Sequence, residues 1–136
     1  MTTLTSAILC EFAQVRESML VVVGGCITRV RRETLPAPLG MMLALVMEIP
    51  AGEQAQVHEI VVAVKRPETA EDVLRVVGGV QLSSEHAYPG ESLQVPLAFD
   101  LRNARVEAYG GYDVVSHVDG NPGPMLTFYV VDKPEG

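Results

Sequence analysis

The sequence predicts an all-β fold, a single antiparallel β-sandwich of about eight strands. Three observations predict it. Apolar residues recur with a period of two rather than 3.6. Clusters of turn formers interrupt the chain at intervals that suit an antiparallel sandwich or barrel better than repeated βαβ units. No stretch of roughly ten residues carries a helical stripe. A chain of 136 residues, 48% of them apolar, is read as one domain over residues 1–136, with enough apolar side chains for a real core.

The first two expected strands are "TSAILCEFAQV" and "SMLVVVGGCITRV". The second poses a choice, because "VVVGGC" could open a phosphate-cradling turn. A dinucleotide fingerprint needs G-x-G-x-x-G between a strand and a helix whose amino terminus holds the charge. Here Gly24-Gly25 leads into "CITRVRRE", which is β-branched and has no helical face, and no Gly-Lys-Ser/Thr follows anywhere. The glycines are therefore read as a kink, a bulge or a close backbone approach. "VVGG" recurs at Val76 to Gly79 between strand-like flanks, but the flanks of the two copies differ, so no internal repeat is inferred.

After the loop "RETLPAPLG" comes "LGMMLALVMEIP". Met41, Leu43, Leu45, Met47 and Ile49 make one face of this strand, while Met42, Ala44 and Val46 make much of the other. Both faces need cover, from this chain or from a neighbouring subunit. In "QVHEIVVAVK", His58, Ile60, Val62 and Val64 alternate with Val57, Glu59, Val61 and Ala63, again with an apolar second face. "PETAED" is a loop, and "VLRVVGGVQLS" the next strand. "ESLQVPLAFDL" alternates most strictly, with Leu93, Val95, Leu97, Phe99 and Leu101 on one side; Pro96 cannot donate to a ladder and puts this strand at an edge or a bulge. Tyr112 to Val118 and Met125 to Asp132, separated by "DGNPGP", form a β-hairpin.

Composition narrows the function classes. A net charge of −7 opposes binding to nucleic acid or to an anionic membrane. The one basic cluster, Arg29, Arg31 and Arg32, reads as a solvated strand end or a weak patch for an acidic partner. Cys10 and Cys26 are too few for a disulfide framework and lie in apolar runs, so both are expected as reduced core residues. No signal-peptide pattern opens the chain, and its longest apolar run, Leu39 to Met47, is far shorter than the roughly 20 residues of a membrane-spanning helix. A cytoplasmic protein is expected.

No convergent chemistry is legible. His58, His86 and His117 lack the spacing of metal ligands, Ser83-Ser84 lacks a nucleophile elbow, and the carboxylates follow no pairing pattern. No catalytic, cofactor-binding or metal-ligating residues are assigned. The leading expectation is a non-enzymatic interaction or assembly module that forms a homo-oligomer or binds another protein. Its interface is placed at Met42, Ala44 and Val46 or at Val57, Val61 and Ala63. The alternatives are a small-ligand binder or enzyme with a pocket around His58, His117 and Tyr112, and a phage or capsid-type structural subunit.

Two resemblances add to this reading. "SAILCEFAQVRE", "LVVVGGCITRV" and "LPAPLGMMLALVMEIP", with "PGESLQVPLAFDLR" and "YGGYDVVSHVDG", resemble a family of bacterial domains of unknown function over nearly the whole chain. That resemblance implies a stand-alone domain and supplies no catalytic residues. The carboxy-terminal half resembles the last three strands of an immunoglobulin-like Greek key. There a tyrosine before the penultimate strand bonds back across the corner, a role that falls to Tyr112 or Tyr109. The disulfide and core tryptophan of antibody domains are absent.

Overall fold

The computed structural model describes residues 1–82 and 88–132. Among these residues there is no helix, and none therefore long and apolar enough to cross a membrane. The strands are β1 (Thr3–Arg16), β2 (Met19–Gly25), β3 (Arg29–Arg31), β4 (Ala37–Pro38), β5 (Met42–Ile49) and β6 (His58–Arg66). They continue as β7 (Glu71–Val80), β8 (Leu93–Asp100), β9 (Arg105–Val106), β10 (Gly110–Val118), β11 (Asn121–Pro122) and β12 (Leu126–Val131).

One sheet runs β2-β1-β5-β8, and a larger one runs β3-β12-β10-β6-β7 with β11 attached to β10. β4 and β9 form a separate two-residue ladder. The main core takes the inward residues of both sheets: Leu43, Leu45, Met47 and Ile49 of β5 against Ile60, Val62 and Val64 of β6, with Tyr112, Val114 and Phe128. Tyr112 and Phe128 face each other across the β10–β12 ladder with ring centroids 5.3 Å apart, a pairing worth about 1 kcal/mol beyond the area it buries. As Pro96 requires, β8 is an edge strand.

The segment expected as one strand from Ser18 to Val30 is two strands in different sheets. β2 pairs with β1 in the smaller sheet; Gly24 (φ 63°) and Cys26 (φ 64°) then take left-handed conformations, and β3 joins the larger sheet. Gly24 cannot be replaced cheaply, because its left-handed φ of 63° strains any residue with a Cβ, whereas the Glu11 side chain 2.7 Å from that Cβ position can swing away. β3 runs parallel to β12, with Arg29 opposite Tyr129 and Arg31 opposite Val131, so the larger sheet is mixed rather than purely antiparallel. Every other pairing among the described residues is antiparallel.

The second face of β5 is covered by the chain itself. β1 pairs with β5 through its first half and with β2 through its second, and the β1–β2 hairpin curls over the outer side of β5. Ala13, Leu20 and Val22 of the hairpin thereby close a small cluster with Ile8, Cys10, Met42 and Ala44. Met42 and Ala44 are buried by these residues and present no surface to a partner; Val46 is half-buried.

Candidate functional site

On the larger sheet, the two-residue period that sends Ile60, Val62 and Val64 into the core sends Glu59, Val61, Ala63 and Lys65 to the outside. The neighbouring strands extend this outer surface. Across the β6–β7 ladder Glu59 faces Gly79, Val61 faces Val77, and Ala63 faces Arg75. Across the β6–β10 ladder Val61 faces His117, Ala63 faces Val115, and Lys65 faces Asp113. Val57, just before β6, is 66% exposed and Val77 is 56% exposed, whereas Val61, Val115 and His117 are half-buried by their neighbours and Ala63 is buried among them.

The margin of this apolar strip is charged. Lys65 Nζ lies 3.5 Å from Asp72 Oδ1, and Thr127 Oγ1 donates to Asp113 Oδ1 at 2.9 Å. The side chains of Glu59 and Arg75 have no hydrogen-bond or ion-pair partner among the described residues. Of the two interface sets expected from the sequence, Val57 and Val61 thus lie on an open face and Ala63 on its floor, while Met42 and Ala44 are enclosed.

The three residues considered for a ligand pocket do not converge. Tyr112 points inward from β10, and its hydroxyl donates to the Ala108 carbonyl at 2.7 Å. His117, five residues later, points to the opposite side of the same strand. Tyr109 donates instead to the carbonyls of Arg32 and Glu33. His58 is buried at the start of β6, with Nδ1 2.6 Å from Asp119 Oδ2 and Nε2 2.7 Å from the Glu53 carbonyl. A carboxylate and a carbonyl thus face the two ring nitrogens, an arrangement that favours the protonated ring, which donates from both. Burial works against that charge, but the Asp119 carboxylate and the Glu53 carbonyl outweigh it and hold the His58 pKa above the usual histidine value. Burial likewise opposes the Asp119 charge, and the bonds from His58 and the Glu59 amide overcome it, lowering the Asp119 pKa. This pair fastens residues 50–57 to the β10–β11 turn.

Other candidates from the sequence disperse. Cys10 is buried in the cluster under the hairpin, but Cys26 is exposed in the left-handed turn at the exit of β2. Arg32 is a structural clamp, donating to the carbonyls of Arg31, Pro38 and Leu39 at 2.7, 3.0 and 2.8 Å, and Arg31 pairs with Glu33 at 3.2 Å. Arg29 also has an interaction within the chain. His86 and Ser83-Ser84 lie outside the described residues. Among the described residues no three His, Cys, Asp or Glu side chains are grouped to hold a metal ion.

A concavity of about 320 Å³ opens beside Arg66, Glu71, Asp72, Arg105 and Glu107. Its charges are balanced in part from within: the Arg66 guanidinium lies 5.7 Å from the centroid of the Tyr112 ring and 3.6 Å from Glu68. In the sequence Arg75 and Glu59 look like ordinary solvated charges; the ladder register sets them on opposite sides of the Val61–Val77 pair.

No curated protein matches the chain. A family model described as a family of unknown function (DUF6941) matches residues 5–131, from β1 to the last residue of β12, in keeping with the resemblance seen in the sequence. The match takes in both sheets and the whole of the outer face, and the chain belongs to DUF6941.

Proposed function

We propose that the chain is a non-enzymatic protein-interaction module of immunoglobulin-like topology that works through the outer face of β6, β7 and β10. The observation that carries this reading is the group of exposed Val57 and Val77 with half-buried Val61 and Val115, and His117 beside Val61, on the outer face of a sheet whose other face is a filled core. A contiguous apolar patch open to water marks an interaction surface. An apolar centre inside a charged margin is the usual anatomy of such surfaces.

The topology has its own support. The order β3-β12-β10-β6-β7 matches strands A′-G-F-C-C′ of a variable-type immunoglobulin sandwich, with β5 and β8 in the places of B and E. The Tyr112 hydroxyl, bonded to a carbonyl four residues upstream, matches the tyrosine corner. The β1–β2 hairpin is an addition to that plan. Cytoplasmic residence is part of the proposal and is supported by an exposed free thiol at Cys26, which suits a reducing compartment.

A photo-crosslinking amino acid placed at Val77 in producing cells tests the reading, with Glu68 in the exposed β6–β7 turn as the control position. Protein adducts at Val77 and none at Glu68 are expected. Absence of adducts at Val77 overturns the proposal.

A further inference from the structure

The surface proposed above carries a pattern that identifies its partner, and the inference rests on that reading. Val61 and Val77 are cross-strand neighbours at the centre of the strip. Because β6 and β7 are antiparallel, Glu59 and Arg75, each two residues before its valine, lie toward opposite ends of this pair. Each stands opposite a small residue: Glu59 faces Gly79, and Arg75 faces Ala63. The block therefore reads Glu-Gly, Val-Val, Ala-Arg from one row to the next, and it is complementary to itself.

We infer that the partner is a second copy of this chain, docked face to face about a twofold axis that passes between Val61 and Val77. Such an axis brings Glu59 of each copy against Arg75 of the other, with the valines in contact at the centre. The two long side chains extend over Gly79 and Ala63, where the facing sheet is shallowest. At Gly79 an added Cβ would have only the Val57 side chain within 4 Å, at 3.5 Å. Neither charge has a partner among the described residues, so the contact satisfies both without breaking an ion pair seen there. An isologous contact of this kind closes at two copies and leaves no second surface for growth.

Light scattering on the purified full chain, with circular dichroism to confirm folding, tests the inference. The wild type is expected at twice 14.7 kDa at tens of micromolar. Glu59→Arg and Arg75→Glu should each raise the dimer dissociation constant by about tenfold or more, since each sets like charges against one another. An equimolar mixture of the two variants should regain the dimer mass, because a mixed pair sets the two arginines of one variant against the two glutamates of the other. A wild type that stays at 14.7 kDa overturns the inference, as does a mixture no heavier than its components. Val77 adducts to a different protein, beside a monomeric wild type, would leave the interaction surface standing and remove only the second copy.

Discussion

His58 Nδ1 lies 2.6 Å from Asp119 Oδ2, so the first residue of β6 is bonded to the tight turn that follows β10. Asp119 and Gly120 both have positive φ, 51° and 79°, the conformation of a two-residue hairpin of type I′. Asp tolerates that conformation, and its carboxylate also accepts from the Glu59 amide at 2.9 Å.

This pair gives stability a definite pH dependence. The raised pKa of His58 contributes stability that is fully present below the unfolded value of 6.5 and is lost as pH rises through the folded value. The lowered pKa of Asp119 contributes stability present above 3.8 and lost as pH falls through its folded value. Both contributions are therefore complete between these unfolded values. Asp119→Asn should destabilise by about 1–2 kcal/mol at about pH 5, a range that allows for the partial exposure of Asp119, and the difference from wild type should shrink on either side. Urea unfolding across pH, with an NMR titration of His58, measures it; a difference independent of pH contradicts the assignment.

The turn between β1 and β2 is strained. Glu17 and Ser18 both adopt left-handed conformations, φ 51° and 61°, where Asn-Gly is the preferred pair. The double substitution Glu17→Asn with Ser18→Gly should stabilise the chain by about 0.5–1 kcal/mol, read as an upward shift in Tm.

Gly123 and Ser116 act together against β1. A Cβ at Gly123 would meet Leu4 Cβ at 2.8 Å and Ser116 Oγ at 3.1 Å, so Gly123→Ala should cost about 1–3 kcal/mol. The Ser116 hydroxyl is buried without a hydrogen-bond partner among the described residues, and Ser116→Ala should stabilise by about 1 kcal/mol. The double variant should be more stable than the sum of the two single effects, because removing Oγ relieves the 3.1 Å contact of the new methyl group and leaves only the one with Leu4. Denaturant unfolding of the four proteins decides it.

The cysteines should differ in reactivity. Burial raises the Cys10 pKa, and its thiol donates to the Met42 carbonyl at 3.5 Å, whereas Cys26 is exposed. A thiol reagent should modify Cys26 in the native protein and Cys10 only on unfolding. Cys26→Ser should abolish the native reaction.

Strands with a long two-residue period were legible in the sequence: β5, β8 and β12 lie within runs read as strands, and β6 and β10 overlap theirs to within two residues. β3 was not, since three residues beside a left-handed turn carry no period, and their pairing with β12 depends on residues 100 positions away. The apolar second face of β5 signalled that cover was needed but not what supplies it, because hairpin curling leaves no mark in alternation. His58 was visible as an inward-facing residue, yet its partner Asp119 was hidden inside a turn signature. Of the candidate site, Val57, Val61 and Ala63 were readable from apolarity alone; the Glu59 and Arg75 relationship required the register.

The parallel seam between β3 and β12 has a consequence for the order in which the protein is made. During synthesis, residues 1–109 emerge before any partner exists for the β10 side of β6, and β3 has none until β12 follows. The nascent chain therefore presents the edge of β6 and part of the apolar core to its surroundings until β10 and β12 have left the ribosome. The larger sheet can be completed only after β12 has emerged, and a chain halted before β10 lacks the strands that complete it.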